Sequence, residues 1–230
     1  MKDGIKRIIP KLFRRILNHI IYFMWDAVEL LSRRRDELTP PCKIRKQVGP
    51  FYNVLHYKSV GKEFSLHLKN LCGLKPNERI LDIGCGCGQV AAQLTEYLDN
   101  NGIYEGIDIV SSVINWCKNN ISPKYPNFNF QLADIFNNSY NTKGICKASE
   151  YRFPFNNDVF DVVLLKSVFT HMLPQDMENY FSEITRVLRR EGRVLITLFL
   201  SNKESLELIN VDKSFLAFQY DFGKYSTINI

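Results

Sequence analysis

The chain has 230 residues, 45% hydrophobic and 23% charged, with a formal net charge of +6. That size suits one ordinary domain with an appendage, and the apolar content excludes wholesale disorder. Nine Pro and 12 Gly exclude collagen-like or low-complexity architecture, and no run of about 18 uncharged apolar residues reads as a membrane span.

The charge is unevenly spread. Residues 1–35 hold nine Lys/Arg against three acids, so they carry the whole excess. The remaining residues balance, which speaks against a basic nucleic-acid platform. The basic segment is also amphipathic. Ile5, Ile8, Ile9, Leu12, Phe13, Ile16, Leu17, Ile20, Ile21 and Met24 recur at helical spacing, with Lys6, Lys11, Arg14, Arg15 and Asn18 between them. Pro10 is expected to break or kink the first turns. Two readings compete for this helical extension. One is an interfacial membrane helix, with cations for anionic headgroups and Phe23 and Trp25 as anchors. The other is a helix packed on the domain or on a second copy in a homodimer. Asp26 and Glu29 interrupt the apolar run, which disfavours a secretory signal.

Residues 36–50, with three Pro and a Gly, read as a linker. Residues 51–72 read as a helix capping the following domain, which spans 73–230. From there short apolar runs alternate with helical stretches. Strands are predicted over Arg79–Ile83, Ile103–Ile109, Phe128–Leu132, Phe160–Leu165 and Arg193–Leu200. Helices are predicted over Gln89–Leu98, over Ser111–Asn120 with Ser111 or Ser112 as cap, and over Gln175–Arg190, ended by Gly192. Residues 137–157 are loop-like. Strand–helix alternation with hydrophobic strands predicts an α/β fold of three layers, with a mostly parallel sheet covered on both faces.

Six Cys (Cys42, Cys72, Cys85, Cys87, Cys117, Cys146) form no C-x-x-C pair. They read as free thiols in a reducing, cytoplasmic compartment, and no metal site is expected.

The informative segment is Ile80-Leu81-Asp82-Ile83-Gly84-Cys85-Gly86-Cys87-Gly88-Gln89. A strand runs into three glycines at alternate positions and then a helix. Such glycines admit positive φ and let backbone approach a ligand at the carboxyl end of the strand. Asp108 closes the second strand, placed to accept both hydroxyls of a ribose. Asp134 closes the third and is placed to accept from an adenine amino group. Each Asp alone reads equally well as a helix cap or turn residue. Three acids at successive strand ends, beside the glycines, point instead to a ligand rich in donors.

D-x-G-x-G-x-G after a strand resembles the class I S-adenosylmethionine-dependent methyltransferases of the small-molecule type. Glu105–Ile109 and Leu132–Ile135 are similar to the second and third motifs of that family. Tyr151–Val163 resembles its "LPFPDNSFDVV" stretch, and Val187–Leu195 its "VLKPGGRLL" stretch, with Arg190-Glu191 replacing Pro-Gly. The resemblance covers residues ~74–200 and implies a Rossmann-like sheet and S-adenosylmethionine as cofactor. It implies roles by position. Gly84, Cys85, Gly86, Gly88 and Gln89 form the loop under the methionine and ribose moiety. Asp82 acts near the amino group through water, Asp108 holds the ribose hydroxyls and Asp134 the adenine amino group. Ile109 and Ile135 pack on the ring, and Lys166 and Ser167 face the sulfonium. Lys166 reads as a positioning residue or a surface cation.

His171 is a candidate general base because its ordinary pKa lies near neutrality. The alternative is that it orders the start of the next helix with Thr170. The acceptor pocket is expected from residues 40–65, the 137–157 loop and the segment after residue 200, with Tyr52, His56, Tyr57 and Phe64 as candidates to cap the cofactor. The family's sheet ends in an antiparallel hairpin, and here that C-terminal region looks shortened. Glu204–Ile209 reads as helical, Phe215–Phe222 as one strand and Tyr225–Ile228 as a second. Either these residues cover the edge of the fifth strand, or a second chain does, or the chain is a truncated product. The expected function is methyl transfer to a small-molecule or lipid-linked acceptor. The alternatives are a non-catalytic cofactor-binding or interaction protein, and a nicotinamide-dependent oxidoreductase, which the glycine spacing disfavours. No nucleic-acid partner is expected.

Overall fold

A computed structural model of the chain describes residues 11–198, 202–210, 220–221 and 226–227. The strands are β1 (Arg79–Ile83), β2 (Ile103–Asp108), β3 (Phe128–Leu132), β4 (Phe160–Leu165) and β5 (Leu188–Ile196). They form one all-parallel sheet in the order β3-β2-β1-β4-β5. The helices are α1 (Lys11–Leu31), α2 (Cys42–Arg45), α3 (Val54–Leu71), α4 (Ala91–Leu94), α5 (Ser111–Asn120), α6 (Pro174–Val187) and α7 (Lys203–Asn210). The order of strands reverses between β1 and β4, and a crevice opens there at the carboxyl ends of the strands.

Side chains of a strand alternate between its faces, and this splits the core in two. Ile80, Tyr104, Phe128 and Val162 pack with Leu68, Leu94 and Ile114 on one side. Leu81, Ile83, Ile107, Val163 and Leu165 pack with Tyr180, Ile184 and Val187 on the other. Asp82 shares the face of Ile80, so the same alternation turns its carboxylate into the core beside Tyr104.

Several boundaries move for local reasons. α3 starts later than expected because the Asn53 side chain accepts the amides of Leu55 (2.8 Å) and His56 (3.4 Å). α4 is much shorter than the expected Gln89–Leu98, since the glycine loop continues as turns to Val90. α6 ends at Val187 rather than Arg190, because Val159 N–H takes the Val187 carbonyl (2.8 Å) and Leu188 already pairs with Phe160. A register shift follows, and Glu191 rather than Gly192 adopts a positive φ of 65°. Neither Ser111 nor Ser112 caps α5. The Val110 amide is held by Asp108 Oδ1 (2.9 Å), and the Ser112 hydroxyl donates to Gln47 Oε1.

Residues 36–50 are more than a linker. Thr39, Cys42 and Arg45 are buried there. Arg45 pairs with buried Glu29 of α1, so the extension is anchored by one of the acids that interrupt its apolar run. Pro10, with its expected kink, lies outside the described residues. At the other end, β6 (Tyr220–Asp221) and β7 (Ser226–Thr227) form a short antiparallel pair separate from the main sheet. The rest of the two expected C-terminal strands lies outside the described residues, whereas β5 already ends at Ile196, short of the expected Leu200, with Thr197 and Leu198 outside the strand.

Candidate functional site

A cavity of about 640 Å³ opens where β1, β2 and β4 end, within the usual range for small-molecule sites. Gly84, Cys85, Gly86 and Gln89 line it, with Asp108, Ile109, Ile135, Lys166, Ser167 and His171. The sequence-predicted residues Asp82, Gly88 and Asp134 are not part of the lining.

The loop after β1 turns on Gly84 (φ 77°), Gly86 (φ 56°) and Gly88 (φ 76°), a region side chains rarely adopt. A Cβ on Gly84 would also lie 2.5 Å from the Val168 side chain, and one on Gly88 2.5 Å from Ile121. Gly88 thus serves packing behind the loop. The amides of Gly84 and Cys85 donate to the Ile107 carbonyl (2.8 and 3.1 Å), which ties the loop to β2. The Tyr57 hydroxyl donates to the Cys87 carbonyl (3.1 Å), and Gln89 Nε2 donates to the Tyr57 carbonyl (2.7 Å). Tyr57 therefore supports the loop from the core. It does not line the cavity, and neither do Tyr52, His56 and Phe64.

Asp108 is fixed at the cavity wall. Its Oδ2 accepts the Gly86 amide (2.8 Å) and its Oδ1 the Val110 amide (2.9 Å). Each oxygen keeps a further lone pair for a ligand hydroxyl. Burial raises the pKa of Asp108, against the pull of these backbone donors.

Asp82 lies beneath. Its Oδ2 accepts the Tyr104 hydroxyl, while Oδ1 is buried with no hydrogen-bond partner. Burial pushes its pKa up to about 6, opposed by the Tyr104 hydroxyl and the Lys166 ammonium. Lys166 is only partly exposed, so the surface-cation reading falls. Its Nζ donates to Gln89 Oε1 (2.7 Å) and sits 5.8 Å from the Phe51 ring and 5.5 Å from the Phe64 ring. Burial lowers the Lys166 pKa, and Asp82 works against that.

Asp134 is exposed. Asn141 Nδ2 lies 3.4 Å from its Oδ1, and its carbonyl accepts the amides of Ile145 (3.3 Å) and Cys146 (3.1 Å). Ser167 takes a positive φ of 58° at the end of β4, its amide held by Thr197 Oγ1 (2.7 Å). His171 has a buried Nδ1 without a partner, and its ring meets the edge of Tyr140 at 5.7 Å. Burial lowers its pKa, which favours the neutral imidazole.

The remaining walls come from places with weaker sequence signals. Gln47, Val48, Gly49, Pro50 and Phe51 line one side, Phe136, Asn137, Asn138 and Tyr140 another, and Met172, Leu173 and Tyr180 a third. The first group, and the second apart from Phe136, fall within the regions expected to build an acceptor pocket. The start of α6 was missed there; its one signal was its nearness in sequence to His171.

Residues 74–221 match a family model described as a methyltransferase domain. The sterol 24-C-methyltransferase erg6 of Schizosaccharomyces pombe is 30% identical over 120 residues, 52% of this chain and 27% of its own length. The ubiquinone/menaquinone biosynthesis C-methyltransferase UbiE of Vibrio parahaemolyticus is 23% identical over 172 residues, covering 72% of this chain and 60% of that protein. In both, the matched region is less than two thirds of the relative's length. The crystal structure of the PH0226 protein from Pyrococcus horikoshii OT3 shares the fold, with a TM-score of 0.51 at 20% identity over 73% of this chain and 68% of that one.

Proposed function

The chain belongs to the class I S-adenosylmethionine-dependent methyltransferases, and from that premise we propose that it methylates a small-molecule or lipid-linked acceptor held in the cavity beside Asp108. The observation that carries the reading is Asp108 itself, a carboxylate pinned by the Gly86 and Val110 amides at the cavity wall.

The residues present suit the cofactor. Asp108 has a free lone pair on each oxygen for the ribose hydroxyls. The orphaned Oδ1 of Asp82 favours a nearby ammonium, reached through water, and is costly without one. Gly84 and Gly86, with Cys85 and Gln89, supply a cradle that side chains would fill. Gly88 sets the turn from behind. Ile109 and Ile135 supply apolar walls for the adenine. Asp134 reaches the adenine amino group by turning its exposed carboxylate inward. Lys166 is a positioning residue that fixes Gln89 and balances Asp82, and Ser167 marks the sulfonium end.

Bound there, S-adenosylmethionine supplies a methyl group activated by its sulfonium. The protein's part is to hold the acceptor in line, exclude water and take a proton. His171, neutral and facing the cavity, accepts the acceptor's proton at a ring nitrogen. The surrounding aromatic and aliphatic walls suit an acceptor with an apolar body.

The reading places the protein in the cytoplasm, supported by six free thiols. It includes contact through residues 1–35 with a membrane periphery or with a second copy in a homodimer, supported by the exposed apolar side chains of α1. Methyl-labelled S-adenosylmethionine, incubated with the protein and a panel of small acceptors and lipid extracts, tests the activity. Label in an organic product supports the reading. Tight binding of S-adenosylhomocysteine with no labelled product across the panel would favour the non-catalytic alternative.

A further inference from the structure

α1 is mounted with its polar side toward the protein. Glu29 is buried, with Oε1 2.6 Å from Arg45 Nη2 and Oε2 3.0 Å from Nη1. Asp26 accepts from Arg35 Nη1 (2.8 Å) and from the Cys42 amide (2.9 Å). The Tyr22 ring stacks on Tyr52 at 6.5 Å. At about 100° per residue these three positions share one arc of the helix. The opposite arc carries Phe13, Met24 and Leu31, exposed by 59%, 60% and 86%, and runs through Ile20 and Ile16 to Phe23 on its flank, exposed by 73%. An ordinary surface helix buries its apolar face and shows its polar one. Here the arrangement is reversed, and a contiguous exposed apolar face of this kind marks an interaction site.

Charge selects the occupant. Lys11, Arg14 and Arg15 stand in the first turns, and Arg33 and Arg34 follow the last. The acids within α1, Asp26 and Glu29, are already engaged by Arg35 and Arg45. A second copy laid on this face, parallel or antiparallel, would bring together segments of like net charge at each end. An anionic surface attracts both ends of the segment through their net positive charge. No described helix is long and apolar enough to cross a membrane. We infer that α1 lies in the plane of an anionic bilayer interface, its apolar face in the acyl boundary and its polar face carrying the domain.

The seat is linked to the cavity. Besides Glu29, Arg45 donates to the carbonyls of Phe51 (3.2 Å), Pro40 (2.7 Å) and Tyr52 (2.9 Å). Phe51 lines the cavity. The membrane-bound helix therefore holds one cavity wall at a fixed place relative to the lipid surface. Vesicle binding is read without cofactor or acceptor, so it stands or falls independently of methyl transfer.

The test is co-sedimentation of the full chain with phosphatidylcholine vesicles, with and without phosphatidylserine. The chain is expected to bind the phosphatidylserine vesicles, to weaken with added salt, and to leave pure phosphatidylcholine largely in solution. A Phe23→Ser/Met24→Ser variant alters only exposed side chains and keeps the fold, checked by circular dichroism. It should lose about tenfold or more in partitioning. Arg33→Glu/Arg34→Glu should weaken binding to the anionic vesicles. No binding to either vesicle, equal binding to both, or undiminished binding by the Phe23/Met24 variant would overturn the inference. So would a concentration-dependent dimer that this variant abolishes, because a second copy would then cover the face.

Discussion

Asp82→Asn isolates what the burial of one carboxylate does to this fold. An unfolded chain holds Asp82 near its ordinary 3.8, whereas the folded core raises it to about 6. The folded state thus binds the proton more tightly than the unfolded state. Stability owed to Asp82 is full below about pH 4, declines as pH rises between the two values, and levels off above about pH 6. At 1.36 kcal/mol per pH unit the loss is about 3 kcal/mol. For a chain of this size that corresponds to about 6–12 °C in melting temperature. Asn cannot ionise, and any cost of its unpaired amide is the same at every pH. The Tm of the variant minus that of the wild type, followed by circular dichroism, should therefore rise by about 6–12 °C from about pH 4 to about pH 7. Taking the difference removes His171, whose burial-lowered pKa tilts both proteins the other way. Saturating S-adenosylhomocysteine brings an ammonium near Oδ1 and should shrink the rise. A difference that stays flat across this window would refute a buried, proton-seeking Asp82.

Glu29→Ala leaves the Arg45 cation buried without its counter-charge and should cost about 3–5 kcal/mol in urea denaturation; a loss under about 1 kcal/mol would mean that the pair is not buried as described. His171→Gln should lower kcat by about a hundredfold or more with KM little changed. The wild-type rate should fall on the acid side, below the ordinary pKa of histidine, and the variant should lack that limb; an unaltered pH profile would remove His171 from proton transfer. Asp134→Ala, which truncates an exposed carboxylate, should weaken S-adenosylhomocysteine by about tenfold or less. Calorimetric titration checks this, and a loss as large as that of Asp108→Ala would place Asp134 inside the cavity.

The strands were legible because each is a short apolar run bounded by polar or turn residues. Arg79–Ile83, Phe128–Leu132 and Phe160–Leu165 coincide with the expected bounds. The glycine loop and Asp108 were legible because their spacing is local to one β-loop-α unit and the next strand. What local pattern could not carry is long-range pairing. Residues 36–50 have the composition of a linker, yet Arg45 reaches back to Glu29 of α1 while also holding the nearby carbonyls of Pro40, Phe51 and Tyr52. The period of α1 was correct, but period alone does not say which face meets the domain. That is set by Glu29 and Asp26, which looked like interruptions. Likewise, Asp82, Asp108 and Asp134 all stand at strand ends, but the pleat turns Asp82 into the core toward Tyr104, and the 137–146 turn leaves Asp134 outside.

The central claim is that the glycine loop and Asp108 form a working cofactor site. Its most direct test is the thermal shift of the purified chain with S-adenosylhomocysteine, beside Asp108→Ala. At a hundredfold excess over its dissociation constant, a ligand adds about 2.7 kcal/mol of stability, which here is about 5–11 °C. The account predicts that shift in the wild type and its loss in a folded Asp108→Ala protein. No shift in the wild type, or an equal shift in the variant, would contradict it.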